Sequence, residues 1–251
     1  MKKIAVFVEG WGELIFTREL LLKCFEWQDI CVECYSLFND KNLNPVQYSF
    51  PNQNASVYYQ IINIGTDTKV LSSILKRESY LFSTNQNFDK IIGLRDMFSK
   101  DYKTIVQSNK IDPKINQKFI DGSIRSILAN AKNPKKISFH FAIMELEAWF
   151  LGMKGFFTKL HPDLTNAKIK AALNVDLEEI DPETAIFHPA PLIKKILQLV
   201  GKDYTKKQIE VNAFMGKIIK ADFKALFESE KCATFTEYCK ALGIDTLLQK
   251  G

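Results

Sequence analysis

The sequence predicts an α/β fold: a mainly parallel sheet flanked by helices, followed by a helical C-terminal segment. Three observations lead there. Short apolar runs alternate with stretches of helical periodicity over roughly the first 150 residues. Several of those runs end on glycine or on an acid, where a strand would meet a turn. Beyond that point the short runs stop and helical periodicity continues alone. Strands alternating with helices are the pattern of a parallel sheet covered on both faces. The expected organisation is an α/β core over residues 1–150 and a helical segment over 151–251, packed on it.

The elements follow in order. "KKIAVFVEG" is a buried strand closed by glycine, and "ELIFTRELLLKCFEW" follows with helical spacing. "ICVECYSLF" is a second strand. "NDKNLNPVQYSFPNQN" is polar with two prolines and reads as a loop or insertion. "VYYQIINIG" is a third strand. "DTKVLSSILKRESYLFS" is a helix that Asp67 or Thr68 could cap. "DKIIGLRDMF" is a fourth strand, "DPKINQKFIDGSIRSILANA" a helix and "KISFHFAIM" a fifth strand. "ELEAWFLGMKGFFTKL" turns helical. "PAPLIKKILQLV", "KKQIEVNAFMGKIIKADFKALFES" and "ATFTEYCKALGIDTLL" are helices.

Composition excludes several classes. Apolar residues make up 46% and charged residues 25% of 251, as in ordinary globular proteins. No segment approaches the roughly 20 apolar residues of a membrane span. The apolar run Ile4 to Val8 is too short for a signal peptide and ends at Glu9. A cytoplasmic protein is expected. Five irregularly spaced cysteines point to reduced thiols. Cys31 and Cys34 form a lone CxxC on a strand, where i and i+3 face opposite ways, so they cannot chelate one metal there. The net charge of +5 is compatible with nucleic acid without arguing for it. Lysine is concentrated between Lys194 and Lys224, eight against three acids, in a stretch expected to be helical. A solvated surface and a phosphate-binding face explain that cluster equally well.

Acids gather where a site belongs. In open α/β sheets, sites form beyond the carboxyl ends of the strands. The first strand leads to Glu9, with Glu13 in the next helical turn; the fourth ends in Asp96; the fifth leads to Glu145 and Glu147. Singly, Glu13, Glu145 and Glu147 could serve helix N-termini, and Asp96 a turn. Together they would repel one another and raise each other's pKa unless a cation joined them. Oxygen ligands of this kind suit Mg²⁺ or Mn²⁺. His140 lies mid-strand, while His161 and His188 precede prolines, so none forms a competing metal cluster.

A strand ending in "VEG", a helix opening with Glu, and a later strand ending in an acid resemble the Toprim domain of topoisomerases, primases and OLD-type nucleases. "GLRDMFSKDY", "FAIMELEAWFLG" and "DPETAIFHPAPLIKKIL" resemble, in that order, motifs of small stand-alone Toprim-like proteins of unknown function. The likeness runs from residue 4 to about 200. It implies a Rossmann-like Toprim fold and metal-dependent phosphodiester chemistry on nucleic acid, DNA first. It implies Glu9 as an acid/base or metal-binding group, Glu13 as a supporting catalytic group, and Asp96, Glu145 and Glu147 as metal ligands. Lys194 and Lys195 match the basic pair of the last motif and would hold the nucleic-acid backbone. One departure stands out: the usual second motif is Asp-x-Asp, and here Phe98 takes the second position, with Asp101 as a conceivable substitute. OLD-type nucleases pair this domain with an ABC-type ATPase. The chain has no GxxxxGK[ST], so by analogy the ATPase would be a separate protein, and a role in anti-phage defence would follow. The alternative is a Toprim fold without activity, kept to bind nucleic acid or an ATPase. A nucleotide-binding regulatory protein is a third reading, and no GxGxxG supports it.

Overall fold

The computed structural model describes residues 1–38, 42–106 and 109–249. The chain opens with β1 (Lys2–Val8), α1 (Trp11–Cys24), β2 (Ile30–Phe38), β3 (Asn42–Pro45) and β4 (Val57–Asn63). It continues through α2 (Val70–Leu81), β5 (Lys90–Asp96), α3 (Lys100–Ile105), α4 (Pro113–Asn130) and β6 (Ile137–Ala142). Helices follow: α5 (Glu147–Gly152), α6 (Phe156–Leu160), α7 (Asn166–Leu173), α8 (Pro182–Ala185) and α9 (Pro189–Gln198). The last are α10 (Gln208–Met215), α11 (Lys220–Glu228), α12 (Ala233–Leu242) and α13 (Asp245–Gln249). The fold is α/β, with a six-stranded sheet in the order β3-β2-β4-β1-β5-β6. Every described pairing between strands is parallel except β2 with β3.

Alternation along β1 shows how the layers form. Ile4, Val6 and Val8 point into one apolar cluster, Ala5 and Phe7 into another across the sheet. The first cluster takes Leu14, Leu21 and Leu22 of α1, and also Phe214, Phe223, Phe235 and Leu242 of the C-terminal helices. The strands and the helices beyond residue 150 therefore share one continuous core. Against the second face lie Val70 and Ile74 of α2 and Ile127 of α4. Gly93 of β5 lets this layer close: a Cβ there would fall 2.4 Å from the Phe139 ring and 2.8 Å from Ile74.

The chain runs from β1 outward to β2, returns to β4, and then crosses β1 to place β5 and β6 on the other side. Strand order thus reverses beside β1. That reversal opens a crevice beyond the carboxyl ends of β1 and β5.

Several elements differ from the sequence reading: α3, α7 and α8 have no counterpart in it, and the helix expected over 233–248 breaks at Gly243 (φ +78) into α12 and α13. Part of the expected 39–54 loop is β3, antiparallel to β2, and Phe50 bridges to Val32; residues 39–41 lie outside the described residues. The helix expected over 145–160 splits around Gly155, which caps α6 at φ +68. The one expected over 206–229 breaks at Gly216, because the Asp222 carboxylate accepts from Ile219 N (2.8 Å) and starts α11 anew. A 3₁₀ turn over Asp67–Lys69 precedes α2. Among the described residues no helix is long and apolar enough to cross a membrane. All five cysteines are free and buried.

Glu183 ties three C-terminal elements together. Its buried carboxylate accepts from Trp149 Nε1 of α5 (2.8 Å) and from the hydroxyl and the backbone N of Thr234 on α12 (3.1 Å for the latter). Burial pushes its pKa from 4.5 up to about 7, against the pull of those donors. Folding therefore favours the protonated form. Stability is fully present below about pH 4.5 and is lost as pH rises through about 7. The loss is expected to reach about 3 kcal/mol. Thermal unfolding from pH 5 to 8 should show the decline, and Glu183→Gln should flatten it.

Candidate metal centre

Five acids and two lysines, Lys206 and Lys207, line a cavity of about 660 Å³, or stand at its edge, where β1, β5 and β6 end. Glu9 follows β1 directly, and its Oε2 accepts from Asp96 N (3.1 Å). Asp96 is the last residue of β5 and is 7% exposed. Beyond β6, Met144 adopts a left-handed backbone with φ +63. This non-glycine residue is strained there, and it turns the chain so that Glu145 and then Glu147 follow. Glu147 opens α5 and is 3% exposed.

Each acid has one oxygen held by the protein. Asp96 Oδ1 accepts from Leu146 N (2.8 Å), and Glu145 Oε2 from Ala190 N in the first turn of α9 (3.0 Å). Glu147 Oε1 accepts from the Tyr204 hydroxyl (2.7 Å). The second oxygens turn inward. Asp96 Oδ2, Glu145 Oε1 and Glu147 Oε2 stand 3.9, 3.0 and 3.0 Å from Lys206 Nζ. Glu147 Oε2 is buried and makes no aligned hydrogen bond, so the ammonium is its ionic neighbour only. One ligand oxygen from each of Asp96, Glu145 and Glu147 lies within 4.8 Å of the others.

Glu13 does two things. Its Oε2 accepts from Gly10 N (2.9 Å), which is the capping role open to an acid in the first helical turn. It is also 8% exposed on the cavity wall. The flanking glycines are not required by the backbone: Gly10 is extended (φ −146), and Gly12 lies within α1. What Gly10 provides is room, since a Cβ there would meet Glu13 Oε2 at 3.1 Å.

The electrostatics follow from crowding. Burial pushes Asp96 well above the carboxylate range, and the charges of Glu13, Glu9 and Glu147 push the same way against Lys206. Burial likewise raises Glu147 and Glu13. Burial alone would lower Lys206, but the facing carboxylates of Glu147, Asp96 and Glu145 outweigh it and hold its pKa above the ordinary value. Lys206 has a left-handed backbone, φ +60. A divalent cation at these oxygens would offset both the burial and the mutual repulsion that raise Asp96 and Glu147. The donor set fits such an ion: all oxygens, three converging, each braced from behind.

Other expected residues lie elsewhere. Phe98 packs edge-on against Phe187 (5.5 Å) and His188 (5.0 Å), so the position where a second Asp would stand serves an aromatic cluster. Asp101 is exposed in the first turn of α3 and does not line the cavity. Lys194 and Lys195 of α9 line a neighbouring depression with Tyr204 and Lys206, and Lys194 pairs with Asp203 (3.3 Å). They adjoin the acids without joining them. Lys206 and Tyr204 were not singled out by sequence. Both sit between α9 and α10, outside the helices expected there or at their start; the one available signal was a polar connection, where function often resides. His140 lies within β6, with burial lowering its pKa to about 4.

No family model, curated protein or solved structure matches the chain.

Proposed function

We propose that the chain is a divalent-metal-dependent nuclease of Toprim type, hydrolysing phosphodiester bonds of nucleic acid, DNA first. The observation that carries this is the convergence of Asp96, Glu145 and Glu147 oxygens within 4.8 Å at the carboxyl edge of the sheet. When bound there, Mg²⁺ or Mn²⁺ would polarise a phosphoryl oxygen and acidify a water. Glu9, anchored to Asp96 N, takes up the proton of the attacking water. Glu13, held by Gly10 N, shapes the cavity wall that Glu9 also lines. Lys206, already charged and inside the site, donates to phosphate oxygens. Lys207, Lys194 and Lys195 meet the flanking backbone. The likeness to OLD-type nucleases supports a separate ABC-type ATPase as partner and a role in anti-phage defence. The five free buried cysteines support a cytoplasmic setting.

A second reading has its own observation. Lys206 already stands within 3.9 Å of all three acids, and burial favours the neutral forms of Asp96 and Glu147, so the site can hold together without a cation. A Toprim fold without activity, kept to bind nucleic acid or an ATPase, fits that state.

A cleavage assay separates the two. Plasmid, linear duplex and single strands are incubated with Mg²⁺, Mn²⁺ or EDTA. The nuclease reading expects metal-dependent cutting that drops on the order of 10²-fold or more in Glu9→Gln. No cutting by the chain alone leaves a nuclease that waits for its ATPase beside the second reading; no cutting in either metal once an ATPase recovered by pull-down is added selects the second.

A further inference from the structure

The cavity that holds the acids has an apolar rim that hydrolysis of a phosphate alone does not require. Trp11, Ile209 and Val211 line it together with Glu9, Asp96, Glu147, Lys206 and Lys207. Trp11 is the first residue of α1 and is half-buried. Its indole leans on the Tyr48 ring, with centroids 6.1 Å apart and planes at 48°. Tyr48 is itself fixed: Asn212 Nδ2 donates to its hydroxyl (3.0 Å), the hydroxyl reaches Gln208 Oε1 (3.3 Å), and its carbonyl accepts from Arg18 Nε (2.8 Å). The indole is therefore braced from behind. Ile209, at the start of α10, also lines the cavity and is 75% exposed, left largely open by the described residues.

A flat, braced aromatic beside ammonium groups and a cluster of inward carboxylates matches one ligand chemistry. It is a nucleotide unit with its base splayed from its neighbours: base on the indole, phosphate toward Lys206 and Lys207. In a duplex the base faces are stacked and closed to a side chain; only an unpaired base can present its face. We propose that this cavity binds single-stranded nucleic acid, with one unpaired base stacked on Trp11 and closed over by Ile209. The proposal rests on the nucleic-acid reading of the cavity and adds strandedness and the residue that selects it.

The test is equilibrium binding by fluorescence anisotropy in EDTA, where metal-dependent cutting cannot interfere. Short dye-labelled oligonucleotides are tested against the full chain: single-stranded DNA, single-stranded RNA, duplex DNA, and single strands abasic throughout. The single strands should bind about tenfold tighter than duplex, and the DNA and RNA arms show which sugar is preferred. Trp11→Ala should lose about tenfold on intact single strands, the worth of one base–aromatic stack. It should lose little on abasic strands, where the stack is already missing. Trp11→Phe keeps a ring and should retain most of the affinity, which separates stacking from damage to the fold. Equal affinity for duplex and single strand, or a Trp11→Ala loss that is the same on abasic strands, overturns the proposal. So does no binding of any oligonucleotide. Failure of the nuclease reading is distinguishable: Trp11-dependent binding without cutting in any metal leaves the base site standing. Metal-dependent cutting of duplex unchanged by Trp11→Ala leaves hydrolysis standing and removes the base site.

Discussion

Asp96→Asn and Glu147→Gln are each expected to lower metal-dependent cleavage on the order of 10³-fold while leaving the folded protein as stable as before. The activity loss should exceed the roughly 10–100-fold that follows loss of an outer partner, because each variant removes an inward oxygen of the three-acid set. The stability expectation has a separate cause. Asparagine at 96 can still accept from Leu146 N, and glutamine at 147 can still accept from the Tyr204 hydroxyl. Meanwhile each substitution deletes one buried charge from a group whose members already push each other's pKa upward. The thermal midpoint in EDTA should stay put or rise by a few degrees, on the order of 1 kcal/mol. Midpoint and cleavage rate measured on the same preparations check this. A fall in both would make the acids structural.

Lys206→Met is expected to act in the opposite direction on stability. It keeps the aliphatic stem and removes the charge that faces Asp96, Glu145 and Glu147. Stripping the partner from a fully buried ion pair costs about 3–5 kcal/mol. The Lys206 side chain is 41% exposed, so solvent screening brings the expectation to about 2 kcal/mol. The sign with pH is set by the raised carboxylates. Their neutral forms favour the fold, so stability is present at low pH and is lost as pH rises through the folded-state values. The deficit of Lys206→Met should be small in acid and should grow as pH rises. Added Mn²⁺ should raise its thermal midpoint more than that of the unaltered protein, since no ammonium competes for the same oxygens. Differential scanning fluorimetry across pH, with and without Mn²⁺, reads both effects. An equal Mn²⁺ shift in the two proteins would mean that ammonium and ion do not share a site.

The acids legible in the sequence share one property: they end a strand or sit in the turn or first helical turn that follows one. Ile4 to Val8 is a compact apolar run, so the position of Glu9 could be read directly, and Asp96 closes another such run. Glu145 and Glu147 could be read because they follow a strand and open a helix. Their convergence then followed from the rule that parallel strands deliver their carboxyl ends to one edge. Lys206 had no such marker. It comes 61 residues after Glu145, in a connection whose path depends on how α9 and α10 pack. Tyr204 was invisible for the same reason. β3 was hidden by chemistry: "NLNP" is polar and ends in proline, which suits an edge strand and looks like a loop. Trp11 carries no marker in the sequence, because its place is in a cavity wall that exists once Tyr48 and α10 close around it.

The most direct test of the cation site is diffraction from crystals soaked in Mn²⁺, with anomalous maps recorded above the manganese edge. One peak is expected in contact with Asp96, Glu145 and Glu147, at about 2.0–2.2 Å from their inward oxygens. Lys206 Nζ should be displaced from them. Saturating Mn²⁺ with no peak at these carboxylates, and Lys206 still seated between Glu145 and Glu147, would contradict a cation site here.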